Sequence, residues 1–151
     1  MIHGIRPGDF FVTDDQAQST GLLAGRYQVG DIIGVGGMAD VYAGMDVRLG
    51  RRVAIKLLKP SLARDPAFRS RFRREAQDAA KMSHPTIVRI FDAGEETVAD
   101  PTGPERQVPF IIMEFVEGRV LKEIIAEGPL APAEAARIIE QVLTALEYSH
   151  R

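Results

Sequence analysis

The chain has 151 residues, 45% of them apolar and 26% charged, with no cysteine. That is the length of one ordinary domain, able to bury about two thirds of the surface its unfolded chain exposes; it excludes a disulfide framework, a thiol nucleophile and a thiolate zinc site, and suits a reducing, cytoplasmic setting. The net charge of −2 conceals an asymmetry, because residues 48–81 carry +8 and the remainder −10.

Residues 1–24 mix Gly, Pro, Asp, Gln, Ser and Thr without periodicity and read as a flexible leader. They lack the basic start and apolar run of a signal peptide. Runs rich in Val, Ile and Tyr at 27–33, 40–46 and 52–58, separated by glycine-bearing turns, predict three consecutive antiparallel strands. Asp65-Pro66 predicts a helix start, with Asp as N-cap and Pro at the first helical position. That helix extends to residue 82, where Ser83-His84-Pro85 stops it. Two more strands are expected over 87–92 and 108–114, joined by a polar loop at 95–107. A short helix is expected over 119–127. A last one runs from Pro132 to the chain end, with Ala135, Ile138, Ile139, Val142, Leu143 and Leu146 at helical spacing. No stretch approaches the 18 apolar residues of a membrane span. His3, His84 and His150 are too scattered for a histidine metal site.

Three features carry chemistry. The first is Ile33-Gly34-Val35-Gly36-Gly37-Met38-Ala39-Asp40-Val41, a glycine loop between two predicted strands. Such a loop lets backbone N–H groups approach a phosphate chain without a Cβ in the way; alone, it is equally a plain turn. It lacks the Lys-Ser/Thr of the classical phosphate loop, and a strand rather than a helix follows it. The second is Val53-Ala54-Ile55-Lys56. Alternation sends Ala54 and Lys56 to one face, where a lysine needs an anion or must snorkel out. The third is the helical stripe Phe68, Phe72, Glu75, Ala79, in which one carboxylate interrupts an apolar face and calls for a cation. Lys56 is the natural partner. The basic run 48–81 reads either as a solvated helix face or as a phosphate-binding surface.

Together these residues resemble the first part of the protein-kinase signature: Gly34-x-Gly36-x-x-Ala39-x-Val41, then Val53-Ala-Ile-Lys56, then Arg-Arg-Glu75-Ala. Ser83-His84-Pro85-Thr86-Ile87-Val88 resembles the segment between the regulatory helix and the fourth kinase strand. Phe110-Ile-Ile-Met113-Glu114-Phe115-Val116-Glu117-Gly118 resembles the fifth strand and the hinge. The wording is most similar to bacterial serine/threonine kinases of the eukaryotic (Hanks) type, especially the membrane-anchored B-type kinases of actinobacteria. The resemblance covers about residues 23–151.

The resemblance implies an α+β fold: a kinase N-lobe with a five-stranded antiparallel sheet and a regulatory helix over 25–114, a hinge over 115–118, and the first two helices of a C-lobe over 119–151. It implies ATP as ligand, with Gly34, Gly36 and Gly37 over the phosphates and Met38 at the loop tip. Ile33, Val41 and Ala54 would lie against the adenine. Lys56 would contact the α/β-phosphates and pair with Glu75. Met113 would be the gatekeeper, and the Glu114 carbonyl and Val116 N–H would bond the adenine edge. His84 matches a structural position, not a catalytic one. The implied reaction moves the ATP γ-phosphoryl group to protein Ser or Thr.

The H-R-D-x-x-x-x-N and D-F-G motifs are not among the 151 residues, whose last aspartate is Asp100. The expectation is therefore an N-terminal portion of a kinase without its catalytic base or Mg²⁺ ligands, inactive by itself and prone to self-association through the last helix. A non-catalytic lobe that binds nucleotide, or forms a homodimer through the small lobe, is the other reading. No nucleic-acid partner is expected.

Overall fold

In the computed structural model, which describes residues 21–100 and 103–151, alternating Val, Ile and Tyr residues build an antiparallel sheet. Its strands are β1 (Leu22–Leu23), β2 (Tyr27–Val35), β3 (Ala39–Asp46), β4 (Arg51–Leu58), β5 (Ile90–Val98) and β6 (Arg106–Glu114). The spatial order is β1-β2-β3-β4-β6-β5. Four helices complete the fold: α1 (Pro60–Ala63), α2 (Pro66–Ala80), α3 (Leu121–Ala126) and α4 (Pro132–Ser149). The fold is the expected α+β arrangement, and its core lies between the sheet and α2. Val53, Ile55 and Leu58 of β4, Ile112 of β6 and Phe72 of α2 are all within 1% of complete burial. Asp65 caps α2 as its sequence predicts, accepting the Ala67 N–H at 2.8 Å, with Pro66 in the first turn.

The sheet curls until its two ends meet. β1 and β5 stand at opposite edges of the strand order, yet the Ala24 N–H donates to Glu96 Oε2 at 2.6 Å. The Tyr27 hydroxyl likewise donates to Asp92 Oδ2 at 2.6 Å. Burial, and then this bond to Asp92, push the Tyr27 phenol up to about 12. A second polar knot closes the β3–β4 turn. The fully buried Asp46 takes both Arg26 Nη2 (2.8 Å) and Arg26 Nε (3.1 Å), and also accepts the backbone N–H groups of Arg48 and Leu49.

Several expectations need correction. The sheet has six strands, not five, because Leu22–Leu23 pairs with Tyr27 and Gln28 inside the expected leader; residues 1–20 of that leader lie outside the described residues. β5 starts at Ile90, not 87, and runs to Val98 through the expected polar loop. Backbone pairing with β6 from Ile90↔Met113 to Val98↔Arg106 makes it a strand. At a sheet edge the ladder needs no apolar face, so the polar residues there concealed it. β6 accordingly begins at Arg106 rather than 108. The helix α1 was not expected; four residues are too few to show periodicity. α2 stops at Ala80 and α3 is confined to Leu121–Ala126, both short of the expected ends.

Candidate functional site

The register of the sheet brings the glycine loop, Lys56 and the end of β6 onto one surface. Gly34 pairs with Val41, Val41 with Lys56, and Lys56 with Ile111. Two residues away on the same face, Ala43 pairs with Ala54 and Ala54 with Met113. Residues directly opposite in an antiparallel ladder project to the same side. Val41, Ala54, Lys56 and Met113 therefore share a face. Ala54 is buried at 5% exposure.

The Lys56 ammonium forms an ion pair with the Glu75 carboxylate of α2. The two side chains point toward each other, as the sequence pattern requires. The expected burial of Glu75 is corrected: its side chain is 49% exposed, against 26% for Lys56. The buried stripe of α2 is Phe72 and Ala76, and Glu75 stands at its border, where it reaches across to β4 while remaining hydrated. The helix is rotated slightly from the register that the stripe suggested, and a carboxylate at such a border avoids most of the desolvation cost.

The loop from Gly34 to Ala39 is a tight hairpin. The Gly36 N–H donates to the Ala39 carbonyl at 3.0 Å, and the Lys59 N–H donates to the Met38 carbonyl at 2.9 Å. A Cβ on Gly36 would lie 2.8 Å from the Ala39 carbonyl oxygen, so glycine is required there by the hairpin itself. A Cβ on Gly37 would meet nothing within 4 Å, and on Gly34 it would make only ordinary contact with Val41. Nothing in the hairpin demands glycine at 34 or 37. Gly34 leaves backbone bare in the row of Val41 and Lys56, and Gly37 does so in the hairpin, the property a phosphate chain exploits.

Not every site candidate is gathered so closely. Ile33 falls in the register shift of β2 between Ile32 and Gly34 and is 51% exposed. Met38 packs partly against the core and also takes a contact from Arg71 at 3.8 Å. Glu114 ends β6, with its N–H on the Arg89 carbonyl at 2.9 Å, and its carboxylate accepts the Arg89 N–H at 3.3 Å. Val116, beyond the strand, is 62% exposed. Arg52 belongs to the basic run 48–81. It reaches over this segment, donating to Glu117 Oε1 at 2.9 Å with its guanidinium 4.0 Å from the centre of the Phe115 ring. The period-two alternation that selected Lys56 would have found it too. The basic helix is largely occupied with the chain itself: Arg73 pairs with Glu95 at 3.1 Å, and Arg69 donates to the Ala63 carbonyl at 3.0 Å. Among the described residues, no three His, Asp or Glu side chains group as a metal centre, and no helix is long and apolar enough to cross a membrane.

Residues 27–151 match the family described as Protein kinase domain. The chain is 47% identical over 133 residues to a probable serine/threonine-protein kinase PknB of Bifidobacterium longum, covering 87% of this chain and 19% of that kinase. It is 47% identical over 130 residues to the serine/threonine-protein kinase PknB of Mycobacterium tuberculosis, covering 85% of this chain and 20% of that kinase. Among solved structures, the PknI kinase domain of Mycobacterium tuberculosis superposes with a TM-score of 0.63 at 31% identity, over 82% of this chain and 48% of that chain. The chain thus spans about a fifth of the length of the curated relatives it matches.

Proposed function

The chain belongs to the protein kinase domain family, and from that premise we propose that its glycine loop, Lys56 and the 113–116 segment form the ATP-holding half of a serine/threonine kinase site. The observation that supports this most is the Lys56–Glu75 ion pair on the cross-strand row that Lys56 shares with Val41 and Gly34. A cation held by a carboxylate stays positioned for a phosphate while its own desolvation is shared. In this reading Gly34, Gly36, Gly37 and Met38 cover the phosphates, and Lys56 neutralises the α/β-phosphates. Ile33, Val41, Ala54 and Met113 enclose the adenine, and the Glu114 carbonyl and Val116 N–H bond its edge.

Protein kinases use ATP with Mg²⁺ and transfer its γ-phosphoryl group by positioning and charge neutralisation. The residues present here fit the nucleotide half of that task. They do not fit the metal, because no acidic cluster exists among the described residues and no aspartate follows Asp100. In this reading the 151 residues hold the nucleotide, and phosphoryl transfer to protein Ser or Thr requires a catalytic base and metal ligands in addition to them.

Titration of the chain with ATP, followed by NMR, tests the first part. Lys56→Met removes the charge-assisted contact while keeping the apolar stem, and should weaken ATP by roughly tenfold or more. Unchanged affinity would remove Lys56 from the site. Incubation with labelled ATP, Mg²⁺ and a generic protein substrate tests the second part; label incorporation that copurifies with this chain would overturn it.

A further inference from the structure

Along β4 the side chains of Arg52, Ala54 and Lys56 alternate onto one face, each step of two residues advancing roughly 6.6 Å. Lys56 ends at Glu75 of α2, and Ala54 lies opposite Met113. Arg52 ends on the segment that follows β6. Its Nη1 donates to Glu117 Oε1 at 2.9 Å, and its guanidinium carbon lies over the Phe115 ring, 4.0 Å from the ring centre. Arg51 projects the other way, 3.7 Å from the Phe91 ring centre and 4.0 Å from Asp46, so the two arginines are not interchangeable. Arg52 therefore grips both neighbours of Val116, from the strand that carries Ala54 and Lys56.

We propose that Arg52 is a positioning residue that holds residues 115–117 in register with β4, so that the Val116 N–H is presented to the adenine edge at a set distance from Lys56. This rests on the reading that Val116 and Lys56 hold the two ends of ATP. An exposed ion pair is weak by itself. Here one planar guanidinium uses its edge for a carboxylate and its face for a ring, so ordering a single side chain serves two contacts. The start of the strand that carries the phosphate lysine thereby also sets the base-binding segment. The expected consequence is selective: base recognition depends on Arg52, and phosphate recognition does not.

The test uses the isotope-labelled 151-residue chain and three probes: adenosine, ATP and inorganic tripolyphosphate. Arg52→Ala should weaken adenosine and ATP by the same factor, about three- to tenfold, and leave tripolyphosphate unchanged. Lys56→Met should do the reverse, losing tripolyphosphate and keeping adenosine. Arg52→Lys keeps the charge for Glu117 but not the planar stack and should restore part of the loss. Without any ligand, hydrogen exchange at the Val116 amide should quicken in Arg52→Ala and, less, in Glu117→Gln. Unchanged Val116 exchange in Arg52→Ala, or an equal loss of all three probes, would overturn the positioning role. Failure of the unaltered chain to bind adenosine and tripolyphosphate would instead overturn the ATP-site reading, and the positioning role with it.

Discussion

Residues 22–114 and residues 115–151 are equally periodic in sequence, but they end in different environments. Among the described residues every buried side chain lies between Leu23 and Ile112; α3 and α4 contain none. On β4, Val53 and Ile55 are 0% exposed. On α4, Ile139, Val142, Leu143 and Leu146 are 46–58% exposed, although they form as clean an apolar stripe. α4 meets the rest of the chain along a narrow edge: the Tyr148 ring lies beside His84, the Ser83 N–H donates to the Tyr148 hydroxyl at 3.0 Å, and Thr86 Oγ1 donates to the Gln141 carbonyl at 3.3 Å. Amphipathic spacing specifies which face of an element is apolar; burial requires a second layer to meet it.

The contrast can be broken most severely at its buried end. Ile55→Ala should destabilise the chain by about 2–5 kcal/mol, because the cavity it leaves is lined by neighbours with no room to relax. Urea denaturation would measure it, and a loss below about 0.5 kcal/mol would place Ile55 outside the core.

The next effect concerns Asp46, a fully buried charged residue of the first region. Arg26 and the N–H groups of Leu49 and Arg48 hold its carboxyl below the ordinary value of 3.8, against the opposing pull of burial. A group with a depressed folded pKa stabilises the fold at pH above its unfolded value, and that contribution is lost as pH falls through the folded value. Asp46→Asn should therefore lower stability at neutral pH and flatten its decline in acid. Denaturation midpoints recorded from pH 7 to 2 would show it; parallel curves for both proteins would deny Asp46 this role.

A smaller effect tests the link between the regions. Tyr148→Phe keeps the ring beside His84, 5.2 Å between centroids, but removes the acceptor for the Ser83 N–H. A net loss of about 0.5–1.5 kcal/mol in attachment of α4 is expected, read as faster amide exchange along α4 with β4 unchanged. Equal acceleration in both would mean that the two regions open as one unit.

The smallest effect is expected at Leu143. Leu143→Gln should change unfolding stability by no more than about 0.5 kcal/mol while reducing self-association at high protein concentration. A loss comparable to that of Ile55→Ala would show that the α4 stripe is covered after all, and the contrast between the regions would fall.

Much of the site could be read from residue types at given spacings. Lys56 in an apolar strand and Glu75 in an apolar helical stripe are each costly unless they meet, so the sequence alone determined their pairing, the α2 start at Asp65-Pro66 and the hairpin around Gly36. These are local or charge-driven constraints, carried by a few residues. The rest depended on partners distant in sequence. β5 exists because β6 lies beside it, not because Asp92–Val98 has an apolar pattern, and β1 is a strand because Tyr27 and Gln28 offer it a ladder. Glu75 remains half exposed because the α2 face that meets the sheet is set by Phe72 and Ala76. Arg52 becomes more than a surface charge only where the segment after β6 brings Phe115 and Glu117 to it. Periodicity constrains the face a side chain occupies, whereas what that face meets is a long-range contact that only the tertiary structure decides.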